Sequence, residues 1–389
     1  MGDCYITRKT QPYVMLSTDG KFQYPSKVIV PNTVTSLQAN SLLGFYTHNE
    51  IEEIIFESGS QIKTIGISSF HNCTNLKSIN IPESITSIGS SAFNSDISLQ
   101  SVSFDETENS EAKTITFNGS TIFDNCSSLT TFKFKDNSKI KLVFTTSSAQ
   151  TFRNCKKIDD TFFSDLMSRI DHPKTYVGAY IFQGCTNLKK IICPIIGNYL
   201  FQDCSVTDEN GVPAEGLEEA TIEPLYQINS ASIQGVFQNC KSLKKAIIKN
   251  ITAIGTYFFQ NCINLVSVTL PENVTAIYTS AFSGCSSLSE LFLPSTITYF
   301  GGSTVFAGCT NLTNLSVGTD WNCTADFSQL TLSESSLKGV FENLKDLTGT
   351  TGKSLTISLS NYLTAINLGY ITQEASGNIY KGWTIKSTS

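Results

Sequence analysis

A Phe, a Cys three residues later and a Leu or Ile after three more recur along this 389-residue chain. The complete copies are Phe70-Cys73-Leu76, Phe123-Cys126-Leu129, Phe152-Cys155-Ile158, Phe182-Cys185-Leu188, Phe237-Cys240-Leu243, Phe259-Cys262-Leu265, Phe282-Cys285-Leu288 and Phe306-Cys309-Leu312. Variants at Phe93-Asp96-Leu99 and Phe341-Leu344-Leu347 lack the Cys, and Phe201-Cys204 begins a displaced copy. Between consecutive copies without insertions, the Phe-to-Phe spacing is 22 to 24 residues. This period predicts a stack of short coils rather than a globule, so the chain length does not set a domain count.

Each coil begins with a short strand. After Leu76, apolar and polar residues alternate, so Ile79 and Ile81 point inward and Asn80 points outward. Pro82 cannot donate to a strand ladder and ends the strand. One coil has about six inward apolar side chains, each stabilising by roughly 1.5–3 kcal/mol when buried, and only neighbouring coils can cover them.

The second half of the coil is predicted to be a short strand followed by a turn. Residues 85–89 form the strand, and Gly89 permits the bend after it. Residues 90–93 then begin a short helical turn that a Ser can cap. Phe and Cys, three residues apart, lie on the inner face of that turn.

The repeat unit resembles the BspA-type leucine-rich repeat, L-x-x-[IV]-x-[IL]-P-x-x-[IV]-T-x-I-G-x-x-A-F-x-x-C, and residues 76–93 and 265–285 match it almost completely. The resemblance implies a leucine-rich-repeat solenoid of α/β repeats. The expected form is a right-handed curved rod of about a dozen 22–24-residue coils with parallel strands, short helical turns and insertions. The family consists mostly of surface or secreted proteins of host-associated bacteria and some protozoan parasites. The resemblance therefore implies adhesion to host matrix proteins or cells.

Three segments follow from this pattern. We predict an N-terminal cap at residues 1–27, repeats at 28–347 and a C-terminal capping segment at 348–389, where Trp383 seals the last coil. Residues 105–113, 208–216 and 319–336 are interpreted as insertions. A further insertion at 159–170 has helical spacing and an Asp that can cap it.

Composition argues against several partners. The formal charge of -6, from 27 basic and 33 acidic residues, is the wrong sign for nucleic acid or for an anionic membrane surface. No apolar run is long enough to span a bilayer, so we expect no direct membrane insertion. Residues 1–6, beginning Met1-Gly2, have neither a signal-peptide core nor an acylation signal. Two alternatives stay open: synthesis in the cytoplasm, or a trimmed leader and an extracellular or cell-surface location.

The cysteines are predicted to be structural. Nine of the twelve occupy one slot of the repeat, where they act as small apolar side chains too far apart for disulfides. Cys4, Cys193 and Cys323 lie outside the slot and could include a reactive thiol. With three His, no C-x-x-C and no nucleophile motif, we predict no catalytic, metal or cofactor site.

The outward strand positions predict a binding surface for another protein. These positions are Asn80, Ser103, Lys133, Ile192, Thr221, Ile247, Thr269, Phe292 and Ser316. Ile192, Ile247 and Phe292 are apolar in an otherwise polar row, and Lys190 and Lys245 are expected beside them. The alternatives are that an insertion or a dimer partner covers these side chains, or that the protein is a structural spacer, stalk or fibre component of a cell envelope or virus.

Overall fold

The computed structural model divides the chain into two units, Met1–Leu188 and Lys189–Ser389. It describes residues 26–37, 49–106, 112–135, 138–171, 173–174, 176–350, 352–372 and 378–388, and the backbone of three short strands before residue 26. The side chain of Cys4, both His48 and His172, and most of the predicted N-terminal cap lie outside these residues.

The elements of the first unit are, in chain order, β1 (Cys4–Tyr5), β2 (Met15–Leu16), β3 (Phe22–Gln23), β4 (Lys27–Val30), β5 (Ser36–Leu37), β6 (Glu53–Phe56), β7 (Thr64–Ile65), β8 (Ser78–Ile81), β9 (Ser87–Gly89), β10 (Ser101–Phe104), β11 (Lys113–Asn118), β12 (Thr131–Lys133), β13 (Ile140–Phe144) and α1 (Asp160–Ser168). The first strands of successive coils form one parallel sheet in the order β1-β4-β6-β8-β10-β12. The second strands form another in the order β5-β7-β9-β11-β13. Each coil thus adds one strand to each sheet, as expected for a solenoid.

The elements of the second unit are β14 (Lys190–Cys193), β15 (Ser205–Thr207), β16 (Pro213–Gly216), β17 (Glu219–Ile222), β18 (Lys245–Ile248), β19 (Ala253–Ile254), β20 (Ser267–Thr269), β21 (Ala276–Ile277), β22 (Glu290–Leu293), β23 (Tyr299–Phe300), a 3-10 helix (Ser303–Phe306), β24 (Asn314–Val317), β25 (Ala325–Phe327), α2 (Glu334–Asn343), β26 (Ser354–Ile357), α3 (Leu359–Asn367), β27 (Asn378–Tyr380) and β28 (Trp383–Ser387). Its parallel sheets follow the orders β14-β17-β18-β20, β19-β21-β23 and β22-β24. The two units together contain about 13 coils, so the predicted solenoid fold is confirmed.

The segment around each Phe is a pair of tight turns in most coils. The residues two before and two after the Phe have positive φ, as at Tyr257 (60°) and Asn261 (59°) on either side of Phe259. Positive φ cannot continue a right-handed helix, so the predicted short helical turn does not form in these coils. Phe306 instead ends a 3-10 helix, and Phe341 lies within α2. The backbone N–H of Phe259 instead donates to the oxygen of Ala281 in the next coil, at 2.8 Å.

The inward Phe rings stack in a column within each unit, as predicted, and the Cys side chains lie beside them, with Asp96 in the Cys slot of one coil. Phe93 and Phe123 stack with ring centroids 5.0 Å apart, and Phe237 and Phe259 stack at 5.5 Å. The Phe and Cys side chains of all eight complete copies are buried. Buried aromatic pairs stabilise by about 0.5–1.5 kcal/mol beyond the area that they bury.

Gly89 is needed for close packing between coils and not for the backbone bend that the sequence suggested. Its φ is not in the left-handed region, but a Cβ on it would lie 3.1 Å from backbone atoms of Gly66 and Ile67 in the preceding coil. Gly255 shows the same approach more severely, because its Cβ would lie 1.5 Å from the oxygen of Ile233. Glycine at this position therefore permits close contact between coils.

Two of the predicted insertions have regular structure. Helix α1 begins after Asp159, whose side chain accepts a hydrogen bond from the backbone N–H of Phe162 at 2.9 Å. This confirms the predicted cap. Residues 208–216 belong to an antiparallel hairpin of β15 and β16. The predicted loop at 105–113 includes residues 107–111, which lie outside the described part of the chain.

The interpretation of residues 319–336 as a decorating insertion is wrong. Trp321 is fully buried, and its indole N–H donates to the oxygen of Cys323 at 2.9 Å. Strand β25 pairs with β26, and its residues Ala325 and Phe327 are also buried. The segment is part of the solenoid core, because its apolar residues cover neighbouring coils. Trp383 near the C-terminus is likewise fully buried, and its indole N–H donates to the oxygen of Lys345 at 2.9 Å.

Candidate binding surface

Four strands of the second unit place outward residues in one row. The register joins Ile192 to Thr221, Thr221 to Ile247 and Ile247 to Thr269. The Ile192 side chain is 65% exposed, whereas Ile247 is half-buried. Because neighbouring strands lie about 4.8 Å apart, the two Ile residues are separated by about 10 Å, with one Thr between them.

The two predicted Lys residues lie in a second row, on either side of Glu219. Lys190 Nζ is 2.9 Å from the carboxylate of Glu219, which raises the pKa of Lys190 and lowers the pKa of Glu219 through the hydrogen bond and the charge of the partner. Lys245 adds to the lowering of the Glu219 pKa. Among the described residues, Lys245 has no carboxylate within ion-pair distance, so it is the cation of this row that can bind a partner's carboxylate directly.

Further ion pairs surround the apolar row. Lys244 Nζ lies 2.8 Å from Glu218, and Lys249 Nζ lies 2.9 Å from Glu223. All four side chains are substantially exposed, so each pair contributes at most about 1 kcal/mol to folding. Their effect is to surround exposed apolar side chains with fixed charges of both signs, an arrangement common at the rims of protein interfaces.

Phe292 lies in β22, which does not pair with β20, the last strand of the four-stranded sheet. The four-stranded sheet ends at β20, and β22 pairs only with β24 among the described strands. Val268 occupies an inward position in β20, yet it is partly exposed, unlike Val102 or Ile191 at equivalent positions. The break therefore opens the edge of the core next to Phe292, which is 53% exposed.

The break forms one side of a groove of about 470 Å³, and the first turn of α2 forms the other. Ser336 Oγ donates to the oxygen of Leu315 at 2.5 Å and holds the helix against β24. Glu290 is the charged residue of the lining, beside Phe292 and Thr269. A volume of this size suits one or two side chains of a partner.

The structure thus brings four predicted residues, Lys190, Ile192, Lys245 and Ile247, onto one sheet and places Phe292 beyond the ladder break. Sequence reasoning missed Glu219, although its position beside Thr221 could have been read from the repeat. It also missed the groove. The 23-residue spacing between Phe259 and Phe282 is regular and gives no sign of a break.

The reactive-thiol alternative is wrong for the two non-repeat cysteines that the structure describes. Cys193 and Cys323 are buried, and burial raises the pKa of Cys193 to about 12 and that of Cys323 to about 11. Thiols with such pKa values hold almost no thiolate at neutral pH. The described residues contain no group of three or more His, Cys, Asp or Glu that could bind a metal ion.

These features define the class of the protein: a leucine-rich-repeat solenoid. The sequence profile of the BspA type leucine rich repeat region matches in six copies, over residues 42–173, 169–210 and 232–349. The chain belongs to the BspA-type leucine-rich repeat family. Repeats of this kind generally serve as non-enzymatic scaffolds for protein interaction.

Solved structures of bacterial proteins are similar to this chain at low sequence identity. A leucine-rich repeat protein from Bacteroides ovatus is 20% identical, with a TM-score of 0.52 over 100% of this chain and 92% of that one. The pneumococcal vaccine antigen PcpA is 18% identical, with a TM-score of 0.43 over 96% of this chain and 82% of that one. Among proteins of curated function, none matches this sequence significantly. No helix within the described ranges is long and apolar enough to cross a membrane.

Proposed function

We propose that this protein is a non-enzymatic adhesion scaffold, secreted or held at the cell surface, that recognises a host or matrix protein through the outward face of its second unit. The observation that carries the proposal is the set of exposed apolar side chains, Ile192 and Phe292 above all, on strands bordered by Lys–Glu pairs. Family membership supports the scaffold role. The proposed location, secreted or at the cell surface, is the one usual for this family.

The face suits a protein better than a small molecule. Apolar residues about 10 Å apart, an open break in the sheet and exposed charges are spread over several strands rather than gathered in one enclosed cavity. We expect Ile192, Ile247 and Phe292 to provide the apolar contacts. Lys190 and Lys245, with Glu219 between them, would set the orientation of the partner through charge complementarity.

The test is capture of the full chain by a panel of immobilised extracellular-matrix proteins, measured by surface plasmon resonance. The double variant Ile247→Asp with Phe292→Asp should weaken capture at least tenfold with a nearly unchanged melting temperature. Because Ile247 is half-buried, the pair Ile192→Asp and Phe292→Asp gives an independent version.

The matched control is Ile67→Asp with Ile97→Asp, which replaces two exposed apolar side chains of the first unit. This control should bind as the unmodified chain does. If the control lost as much capture as the Phe292 double variants, or if the Phe292 variants kept full capture, the face would be ruled out as the binding site. A monomeric chain that no panel member captures would instead favour the spacer role.

A further inference from the structure

The six-stranded sheet of the first unit ends at an edge that continues along a groove. Strand β12 is its last strand, and the coil that follows presents α1 beside it instead of another strand. The rings of Phe132 and Phe162 are 5.2 Å apart, which fixes α1 against β12. Within the described chain, no backbone hydrogen bond joins residues 131–135 to residues 158–171. The outer edge of β12 therefore has main-chain groups without a ladder partner there.

The groove lies between this strand and the last turn of α1. Residues 131–135, Asp165, Ser168 and Arg169 surround a volume of about 590 Å³. This volume is large enough for a few residues of extended peptide. Helix α1 thus contacts the edge through Phe162 without filling the space beyond it.

The lining of the groove is cationic in a chain whose net charge is -6. Among the described lining residues, Lys133, Lys135 and Arg169 are basic and Asp165 is the one acidic residue. Lys135 Nζ donates to the backbone oxygen of Glu106. The Arg169 guanidinium lies 5.1 Å from the centre of the Phe134 ring and donates to the oxygen of Ser138 at 2.5 Å. Both partners are neutral, so they hold the guanidinium in place and leave its charge available. Neither Lys133 nor Arg169 lies within ion-pair distance of a carboxylate among the described residues.

We propose that this groove binds an extended, acidic segment of a partner protein, which adds a strand alongside β12. Main-chain hydrogen bonds to the strand edge would give affinity, and carboxylates against Lys133 and Arg169 would give selectivity. The site lies in the first unit and is separate from the face proposed above, so either one can fail without the other.

The test measures fluorescence anisotropy of labelled nine-residue peptides with the full chain. One peptide alternates Thr and Glu, the second alternates Thr and Lys, and the third is the Glu peptide with alternate backbone amides methylated. The Glu peptide should bind at least tenfold more tightly than the other two. The methylated peptide keeps the charge and loses main-chain donors, so it separates strand addition from simple charge attraction.

Two variants locate the site. Lys133→Glu should weaken binding of the Glu peptide at least tenfold, whereas Lys141→Glu, an exposed Lys of β13 outside the groove, should change it less than twofold. Arg169→Gln should follow Lys133→Glu, with circular dichroism confirming that both fold. The Ile192→Asp and Phe292→Asp chain should bind the peptide normally.

Four results would overturn the proposal: no binding of the Glu peptide, equal binding of the Lys peptide, equal binding of the methylated peptide, or equal effects of the Lys133 and Lys141 changes. Sedimentation showing that a second copy of the chain occupies this groove would also overturn it.

Discussion

The thiol of Cys262 donates a hydrogen bond to the carbonyl oxygen of Phe237, one coil earlier, across 3.0 Å. The same bond joins Cys126 to Phe93 and Cys285 to Phe259. Cysteine is small and apolar, and it carries a weak donor. The repeat slot therefore uses its S–H group as well as its volume.

This bond predicts the effect of truncation. Cys262→Ala removes the donor and leaves a small void, so we expect the free energy of unfolding to fall by about 1–3 kcal/mol. Cys262→Ser keeps a donor to the oxygen of Phe237 and should lose less. Urea denaturation followed by circular dichroism measures both. If Ser were the more damaging change, the cost of burying a hydroxyl, rather than the hydrogen bond to Phe237, would govern this position.

The buried thiols should be inert in the native protein. The eleven cysteines that the structure describes are buried, and the pKa of Cys193 is raised to about 12 by burial. Titration with a thiol-disulfide reagent at pH 8 should modify at most one group, Cys4, in the folded chain and all twelve after unfolding. A Cys4→Ser chain should then show no fast reaction. A second fast thiol in the native state would contradict this burial.

Asp96 occupies the Cys slot in its coil and should make stability depend on pH. It is fully buried, and its Oδ1 accepts a hydrogen bond from the backbone N–H of Cys73 at 2.7 Å. Desolvation raises the pKa of the Asp96 carboxyl well above its usual value, against the lowering effect of that bond. Its folded-state pKa is therefore above its unfolded-state pKa, so the neutral acid is favoured in the folded chain. As the pH rises above about 4, the unfolded state ionises first and folding becomes less favourable.

The variant Asp96→Asn isolates this effect, because it keeps the shape and cannot ionise. We expect it to match the unmodified chain near pH 3.5 and to be more stable at pH 7. The difference in unfolding free energy should grow by up to about 1.4 kcal/mol per pH unit within the window between the two pKa values. Urea denaturation at a series of pH values measures this difference, and parallel curves would show that the carboxyl does not titrate as described.

Two glycines should respond oppositely to the same change. Gly255→Ala would place a Cβ 1.5 Å from the oxygen of Ile233, so neighbouring coils must separate. We expect a loss of about 3 kcal/mol or more in unfolding free energy, or failure to fold. Gly339 lies in α2, where a new Cβ would have no described atom within 4 Å apart from the helix's own backbone and the adjacent residues, so Gly339→Ala should gain up to about 1 kcal/mol. Thermal melting of both variants checks the pair, and similar behaviour would contradict the close packing of coils.

The repeat spacing and the alternation of apolar residues sufficed to predict the solenoid, the inward Phe and Cys columns and the outward row. These features depend on local periodicity, because a residue's place in its coil decides whether its side chain points inward or outward. Asp159 as a helix cap followed equally from local sequence.

Only the tertiary structure decided how neighbouring coils meet. The register pairs Lys190 with Glu219, packs Trp321 into the core and opens the ladder between β20 and β22 beside Phe292. Partners in these contacts are more than 20 residues apart in the chain, and their distances depend on how whole coils stack. The repeat pattern gives the order of the strands but not how closely neighbouring coils meet, so the Lys190–Glu219 ion pair and the groove became visible only in three dimensions.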